Sequence, residues 1–301
     1  MNGGIEKYPD TLKFGDKIGN TTEEVVDLFA DYFESIYVPD EENWDFDDIY
    51  VPITATSKIS RIVPVYKRKG DKAYVKNYRV VAIQTIVLKI HDIAVKKKIS
   101  EIIQPQLKSA QHGFRNKRSV VTNLLGLSIM AHNAFERSCQ LDLCYGDYKT
   151  AFDKVIIRLL IVKFARFGIG KKTASIFKSR LYESTSGVPA GSSLGPQMFT
   201  VFIDDVVDVL EFVCPLLFAD DIKLTSIIFD HSDIHRMQRD IDNVNRWNTE
   251  NRLQFNKDKC YIFSIYRSES LFIKADYTMG DHVIERVEEM NDLGFLVNSC
   301  G

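Results

Sequence analysis

Two adjacent carboxylates, Asp220 and Asp221, stand between the apolar runs Leu216–Ala219 and Ile222–Leu224. Aspartate is a poor strand residue but suits a tight hairpin turn, so the plain reading is a turn without chemistry. The chemical reading is a cation site, because two ionised carboxylates this close repel each other and a divalent ion relieves the repulsion. Asp147 closes another apolar run that begins at Leu141. A strand ending in a carboxylate beside an Asp-Asp hairpin brings three carboxylates to one sheet edge. Such a set can hold two Mg²⁺ ions about 4 Å apart, one activating an attacking oxygen and one neutralising a leaving group. Asp142, within the same run, reads as a solvated residue, and Asp153 as a helix-start residue.

Two further stretches carry chemistry. Gly187-Val188-Pro189-Ala190-Gly191-Ser192-Ser193-Leu194-Gly195-Pro196 leads straight into an apolar helix. It is either an ordinary loop with Ser192 or Ser193 as the N-cap, or a backbone platform that lets a nucleic-acid strand approach closely. The turn Lys67-Arg68-Lys69-Gly70-Asp71-Lys72, followed by Asn77-Tyr78-Arg79, puts cations on a hairpin tip where they could grip a triphosphate. The plain reading is a solvated charge run, which also suits Lys96–Lys98.

The elements that must position these residues can be read from charge and periodicity. The 301 residues carry a net charge of −2, but the balance is uneven. Residues 1–60 hold 4 basic and 14 acidic side chains, a net of −10, and residues 61–118 hold 15 basic against 3 acidic, a net of +12. A basic block inside a neutral chain is the footprint of a polyanion-binding element. Apolar residues make up 45% and charged residues 27%, which excludes low-complexity and disordered classes. Five cysteines without paired spacing argue against a disulfide framework or a structural zinc and fit a reducing compartment. No apolar run reaches the roughly 18 residues of a membrane span, and the polar Met1–Asp10 stretch does not form a signal peptide.

Residues 1–20 read as a flexible lead, Thr21–Tyr37 as a helix, and residues 38–50 as an acidic, aromatic loop. Strands are expected at Ile62–Tyr66 and Val75–Ile83, and helices at Ile86–Leu107 and Ser119–Phe135. Gln140–Tyr148 is an apolar run ending at the carboxylate. Phe152–Phe167, Ala174–Leu181, Leu194–Val209 and Ile234–Glu250 read as helices. Val213–Ala219 and Ile222–Ile228 flank the Asp pair as strands, and Tyr261–Ile265, Leu271–Ile273 and Leu293–Val297 as short strands. Alternation without regular βαβ repetition predicts an α+β fold, an antiparallel sheet covered by helices on one face.

In this order the motifs resemble the reverse transcriptase of non-LTR, LINE-type retrotransposons of the jockey-like kind. The series runs Ile62 to Asp71, Asn77-Tyr78-Arg79, Gln111-His112-Gly113-Phe114-Arg115, Asp147 to Asp153, Gly187 to Pro196 and Phe218-Ala219-Asp220-Asp221. Leu253-Gln254-Phe255-Asn256 with Lys259, Leu293-Gly294-Phe295 and Phe29-Ala30-Asp31-Tyr32-Phe33 extend it, so that it covers roughly residues 25–298. The resemblance implies a polymerase right hand: a lead and helix over 1–55, fingers over 56–138 and a palm over 139–301, ending where the thumb would begin.

By that resemblance Asp147, Asp220 and Asp221 are the metal carboxylates and Tyr148 lends its carbonyl. Lys259 is a proton donor near the nucleotide. Lys67, Lys69 and Arg79 hold the incoming triphosphate, Phe152 blocks a ribose 2′-OH, and Ala190 lies at the nucleotide. Gly187, Gly191, Ser192, Gln111 and Arg115 face template and primer. The implied cofactor is Mg²⁺, two ions, with Mn²⁺ as a substitute. The implied partners are an RNA template, a DNA primer and dNTPs, with no membrane and a nuclear or cytoplasmic location.

Departures temper the match. Val80 replaces a proline and Ala190 a glutamine that makes a polar contact near the nucleotide. The chain passes almost directly from Tyr50 to Ile62 and from Leu181 to Gly187, where relatives carry longer segments. The alternative is therefore a truncated relic that binds nucleic acid without catalysis. An RNA-templated RNA polymerase fits less well, because Phe218-Ala219 stands before the Asp pair and Phe152 is aromatic. A plain two-metal nuclease would not need the basic hairpin.

Overall fold

The computed structural model describes residues 11–21, 61–83, 86–169, 187–188 and 192–298, with isolated positions at 24, 25, 28 and 31. Most of the expected Thr21–Tyr37 helix, the 38–50 loop and the expected Ala174–Leu181 helix lie outside these residues. The expected flexible lead contains a hairpin instead. β1 (Leu12–Phe14) pairs antiparallel with β2 (Lys17–Gly19) across Gly15, whose φ of 58° suits a residue without Cβ.

β3 (Arg61–Tyr66) and β4 (Tyr78–Ile83) form an antiparallel hairpin in register from Arg61↔Ile83 to Tyr66↔Tyr78. The strand expected from Val75 starts three residues later. Val75–Asn77 coil into a 3₁₀ turn instead, and the Asn77 carbonyl accepts the Lys67 amide at 2.8 Å. α1 (Ile86–Ile103) and α2 (Val120–Glu136) follow. α2 starts where Ser119 and Thr122 exchange side-chain and backbone bonds as a capping box. After β5 (Gln140–Asp147) the expected long helix is split into a 3₁₀ turn, Ala151–Lys154, and α3 (Ile157–Arg166).

α4 (Gly195–Ile203) buries Met198, Phe199, Val201, Phe202 and Ile203, at roughly 1.5–3 kcal/mol for each large apolar side chain. A 3₁₀ stretch, Asp204–Val209, joins it to β6 (Cys214–Phe218) and β7 (Asp221–Ile228). α5 (His231–Glu250) is capped by Asp230 and buries Ile234, Met237, Ile241, Val244 and Trp247 along one stripe. β8 (Tyr261–Ile265), β9 (Thr278–Met279), β10 (His282–Val283), β11 (Glu285–Val287), β12 (Glu289–Asp292) and β13 (Phe295–Asn298) complete the order. Leu271–Ile273 is not a strand: Glu269–Leu271 form a 3₁₀ turn, and the chain then runs extended without partners in a ladder.

The central sheet has the order β11-β8-β5-β7-β6. Three of its four pairings are antiparallel, but β11 joins β8 in parallel, which corrects the expectation of an all-antiparallel sheet. Helices also cover both faces rather than one. Leu141, Leu143, Tyr145, Leu216 and Phe263 pack with Leu127 and Ala134 of α2, while Cys144, Ile222, Leu224 and Ile262 share a core with α4 and α5. That double cover is why β5 is buried along nearly its whole length.

It also corrects the reading of Asp142, which is fully buried. Its carboxylate accepts from Gln140 Nε2 at 2.7 Å, from the Tyr277 hydroxyl at 2.7 Å and from Ser264 Oγ, and Arg286 lies 3.4 Å away. Among the described residues no helix is long and apolar enough to cross a membrane.

Candidate functional site

The site is built from strand ends. β5 and β7 run in a register that places Asp147 directly across from Asp221. Side chains alternate along a strand, so Tyr145, Asp147, Asp221 and Lys223 share the α2 face of the sheet. Phe218 pairs with Asp221, leaving Ala219-Asp220 as a two-residue loop, and Ala219 adopts φ 58°, a conformation rare for a residue with a Cβ. The strand of Asp147 continues past the sheet. Asp147 O accepts from Asn256 N at 2.8 Å, Lys149 N donates to Gln254 O at 2.8 Å, and the Tyr148 and Phe255 rings stack at 4.4 Å. In an antiparallel ladder those flanking bonds leave the Tyr148 carbonyl pointing away from the Phe255 strand, to the side where β7 begins. The same segment carries Lys259, whose Nζ lies 2.9 Å from Asp147 Oδ2.

Electrostatics tie these groups together. Burial, then the charges of Asp220 and Asp147, push the Asp221 carboxyl up to about 6, against the pull of a hydrogen bond from the Tyr145 hydroxyl. Burial and the Asp147 charge raise Asp220 as well, opposed by Lys259 and Arg79. The charge of Arg79, on the β3–β4 hairpin, is therefore felt at the carboxylate turn. Lys67 lies beside it: burial and the Arg79 charge hold its ammonium below the ordinary lysine value, with Asp153 opposing. Lys67 Nζ donates to the Lys76 carbonyl at 2.8 Å. Burial pushes Asp153 up to about 6, with Lys67 as its countercharge. Asp147, Asp220, Asp221, Lys259, Arg79 and Lys67 thus form one charged neighbourhood.

Other residues singled out from the sequence fall elsewhere. Lys69 stands exposed on the hairpin tip. Phe152 stacks on Phe199 at 4.6 Å, and its carbonyl accepts from Val188 N at 2.8 Å. Gly187, at φ 93°, donates to Val155 O at 2.8 Å, so the start of the glycine-rich loop runs along the 3₁₀ turn that carries Phe152 and Asp153. Ala190 and Gly191 lie outside the described residues. Ser192 is buried, and its Oγ accepts from Gly195 N at 2.8 Å, but the N-cap of α4 is Leu194, which makes no side-chain cap bond. Arg115 donates to the Lys108 carbonyl. Gln111 is fully buried beneath the carboxylate turn.

Sequence reading passed over Tyr145, Asp153 as a charge partner, and Lys223. Tyr145 was legible as the residue two before Asp147 on the same strand face. Lys223, fully buried, bonds Asp292 at 2.5 Å and Asn123 Oδ1 at 2.6 Å, and a lysine two residues after an Asp pair gives no sign of that.

Among the described residues no three His, Cys, Asp or Glu side chains stand close enough to hold a metal ion as placed. The donor chemistry nevertheless suits a hard divalent cation. The donors are all oxygen, and beyond burial the Asp147 charge raises Asp220, and the Asp220 and Asp147 charges raise Asp221, a repulsion that a bound cation relieves. Lys259 partly offsets that charge now.

Comparison with known proteins supplies the rest. The family model for reverse transcriptase (RNA-dependent DNA polymerase) matches residues 66–297. No curated protein matches the chain. Among solved structures, apo telomerase from Candida tropicalis superposes with a TM-score of 0.57 at 11% identity, over 94% of this chain and 53% of that one. A form of it truncated from the C-terminal domain gives 0.54 at 12% identity, over 82% and 55%. Telomerase from Candida albicans in complex with a TWJ fragment of telomeric RNA gives 0.52 at 10%, over 93% and 49%. The chain therefore spans about half the length of these structures, and at such identities the likeness is one of fold.

Proposed function

The chain belongs to the reverse transcriptase (RNA-dependent DNA polymerase) family, and from that premise we propose that it extends a DNA primer on an RNA template as the polymerase of a non-LTR retrotransposon. The observation that carries the activity is the Asp147–Asp220–Asp221 cluster at one sheet edge, with Lys259 2.9 Å from Asp147 and the charge of Arg79 felt at Asp220. Carboxylates at a strand end facing cations from a hairpin can hold the two sides of a phosphoryl transfer: divalent ions on one, the triphosphate on the other. The non-LTR assignment rests on the ordered motif series. A telomerase neighbour bound to telomeric RNA is compatible with an RNA partner.

In this reading residues 56–138 are fingers and residues 139–301 the palm. Asp147, Asp220 and Asp221, with the Tyr148 carbonyl, would hold two Mg²⁺ or Mn²⁺ ions, which supply charge stabilisation at the attacking and leaving oxygens. The protein's own residues position and neutralise. Arg79 and Lys67, with Lys69 from the tip, grip the dNTP phosphates. Phe152 sits against the sugar. Lys259 moves from Asp147 to the leaving pyrophosphate and gives it a proton. Gly187, Gly191, Ser192 and Ala190 support the nascent pair, and Arg115 approaches the template.

The test is primer extension on an RNA template with a DNA primer, Mg²⁺ and dNTPs, beside the Asp221→Asn variant. Synthesis present in the native chain and lost in the variant supports the proposal. A folded native chain that binds template but does not extend it would favour the inactive relic.

A further inference from the structure

We propose that Gln111 is a positioning residue for the carboxylate turn, acting through the backbone of Ala219 and not through contact with template. The inference rests on the polymerase reading of Asp220 and Asp221 and deepens it. Gln111 has no exposed surface. Its Oε1 accepts two backbone amides, Gly113 N at 2.7 Å and Ala219 N at 3.1 Å. Ala219 is the residue immediately before Asp220 and the one that adopts φ 58°. An alanine leaves that conformation readily unless something holds it, and the bond from Gln111 is placed where it does so.

The backbone around Gln111 is fitted to the same task. Leu217 N donates to Ala110 O at 2.9 Å and His112 N to Leu217 O at 2.8 Å, so the segment lies along the outer edge of β6 as a strand-like rung. A Cβ on Gly113 would come within 2.3 Å of Ala219 N, so only glycine allows the approach. His112 fastens the segment from the other side, with Nδ1 2.8 Å from Thr122 Oγ1 and Nε2 3.0 Å from Arg118. The Gln111 Nε2 finds no partner among the described residues. The site thus uses the amide for its oxygen, as an acceptor for two N–H groups.

The test compares Gln111→Met, which keeps the length and removes the acceptor, with Gln111→Glu, which keeps an acceptor oxygen. Four quantities are read: hydrogen exchange at the Ala219 amide, Mn²⁺ affinity by electron paramagnetic resonance, kcat for primer extension and Kd for template–primer. The Met variant should exchange Ala219 faster, bind Mn²⁺ more weakly and lose about 10-fold or more in kcat, a small displacement at a reacting centre being enough for that. Its Kd for template–primer should stay within about 2-fold, and the Glu variant should recover exchange protection and most of kcat. Unchanged Ala219 exchange in the Met variant overturns the proposal. So does faster exchange with Mn²⁺ affinity and kcat unaffected, and so does weakened template binding at unchanged kcat, which would make Gln111 a template contact. If the native chain extends no primer, the polymerase reading fails by itself. Mn²⁺ affinity then decides this one: weaker in Met and restored in Glu upholds it, and equal in all three overturns it. If the Met variant does not fold, Gln111→Asn replaces it, since its amide falls one methylene short and must behave as the Met variant is expected to.

Discussion

The carboxyls of Asp221 and Asp153 are both pushed up to about 6 from an ordinary 3.8, chiefly by burial. Each binds its proton more tightly folded than unfolded. Their contribution to stability is therefore complete below the ordinary value and is lost as pH rises through about 6. Without divalent ions the melting temperature should fall between pH 4 and pH 7, and Asp221→Asn or Asp153→Asn should each reduce the fall. Added Mg²⁺ at pH 7 should restore part of it. A native melting temperature flat across that window would remove this account. Phe152 gives a second prediction. If its ring excludes a 2′-hydroxyl, Phe152→Ala should raise rNTP incorporation relative to dNTP by about 10-fold or more, the scale of one packing discrimination removed, as read by single-nucleotide extension. At this scale the sequence was legible where a carboxylate closes an apolar run, as with Asp147 and Asp221, which the strand register sets opposite each other. It misled where partners lie far along the chain. Asp142 looks solvated by alternation, yet Tyr277, Ser264 and Arg286, more than a hundred residues on, enclose it.

At the scale of the element, the central strand is the part least tolerant of change. A Cβ on Gly146 would meet Phe255 at 2.7 Å and Ile222 at 2.8 Å, so Gly146→Ala should cost about 1–3 kcal/mol in urea unfolding. It should also disturb Asp147 next to it. On the opposite, α2 face of the sheet, the Lys223–Asp292 pair is fully buried. Removing one partner alone, as in Asp292→Ala, should cost about 3–5 kcal/mol, while an apolar double replacement of similar volume should recover most of it. A double-mutant cycle in denaturant measures both. The strands β6 and β7 were legible because two apolar runs flank a turn-forming pair. β11 was not, because Glu285-Arg286-Val287 carries no strand pattern and gains its place only by parallel pairing with β8. The second helical layer was hidden for a related reason: Leu141-Asp142-Leu143 alternates as a strand with one wet face would, and only packing shows that both faces are covered.

For the whole molecule, the segment with a net charge of +12 includes the β3–β4 hairpin and α1, while the carboxylates stand on the sheet. Binding to a single-stranded template should therefore weaken steeply with salt. Replacing Lys67 or Arg79 by Ala should lower the slope of log affinity against log salt by about 0.7 for each phosphate no longer neutralised, as measured by fluorescence anisotropy across a salt series. Composition made this segregation visible before any fold was known. It could not show that the charge of Arg79 on the basic hairpin is felt at Asp220, which depends on tertiary packing alone. The strand order β8-β5-β7 has a consequence for how such a chain is made. The strand at the centre of the sheet is synthesised before either neighbour, and its first partner, β7, begins only at Asp221. At about 5–20 residues per second, the intervening stretch takes on the order of 4–15 s to emerge from a ribosome. Through that interval an apolar strand waits with both edges bare. A chain of this order needs a holding chaperone, or the α2 layer already folded against that strand, more than it needs speed.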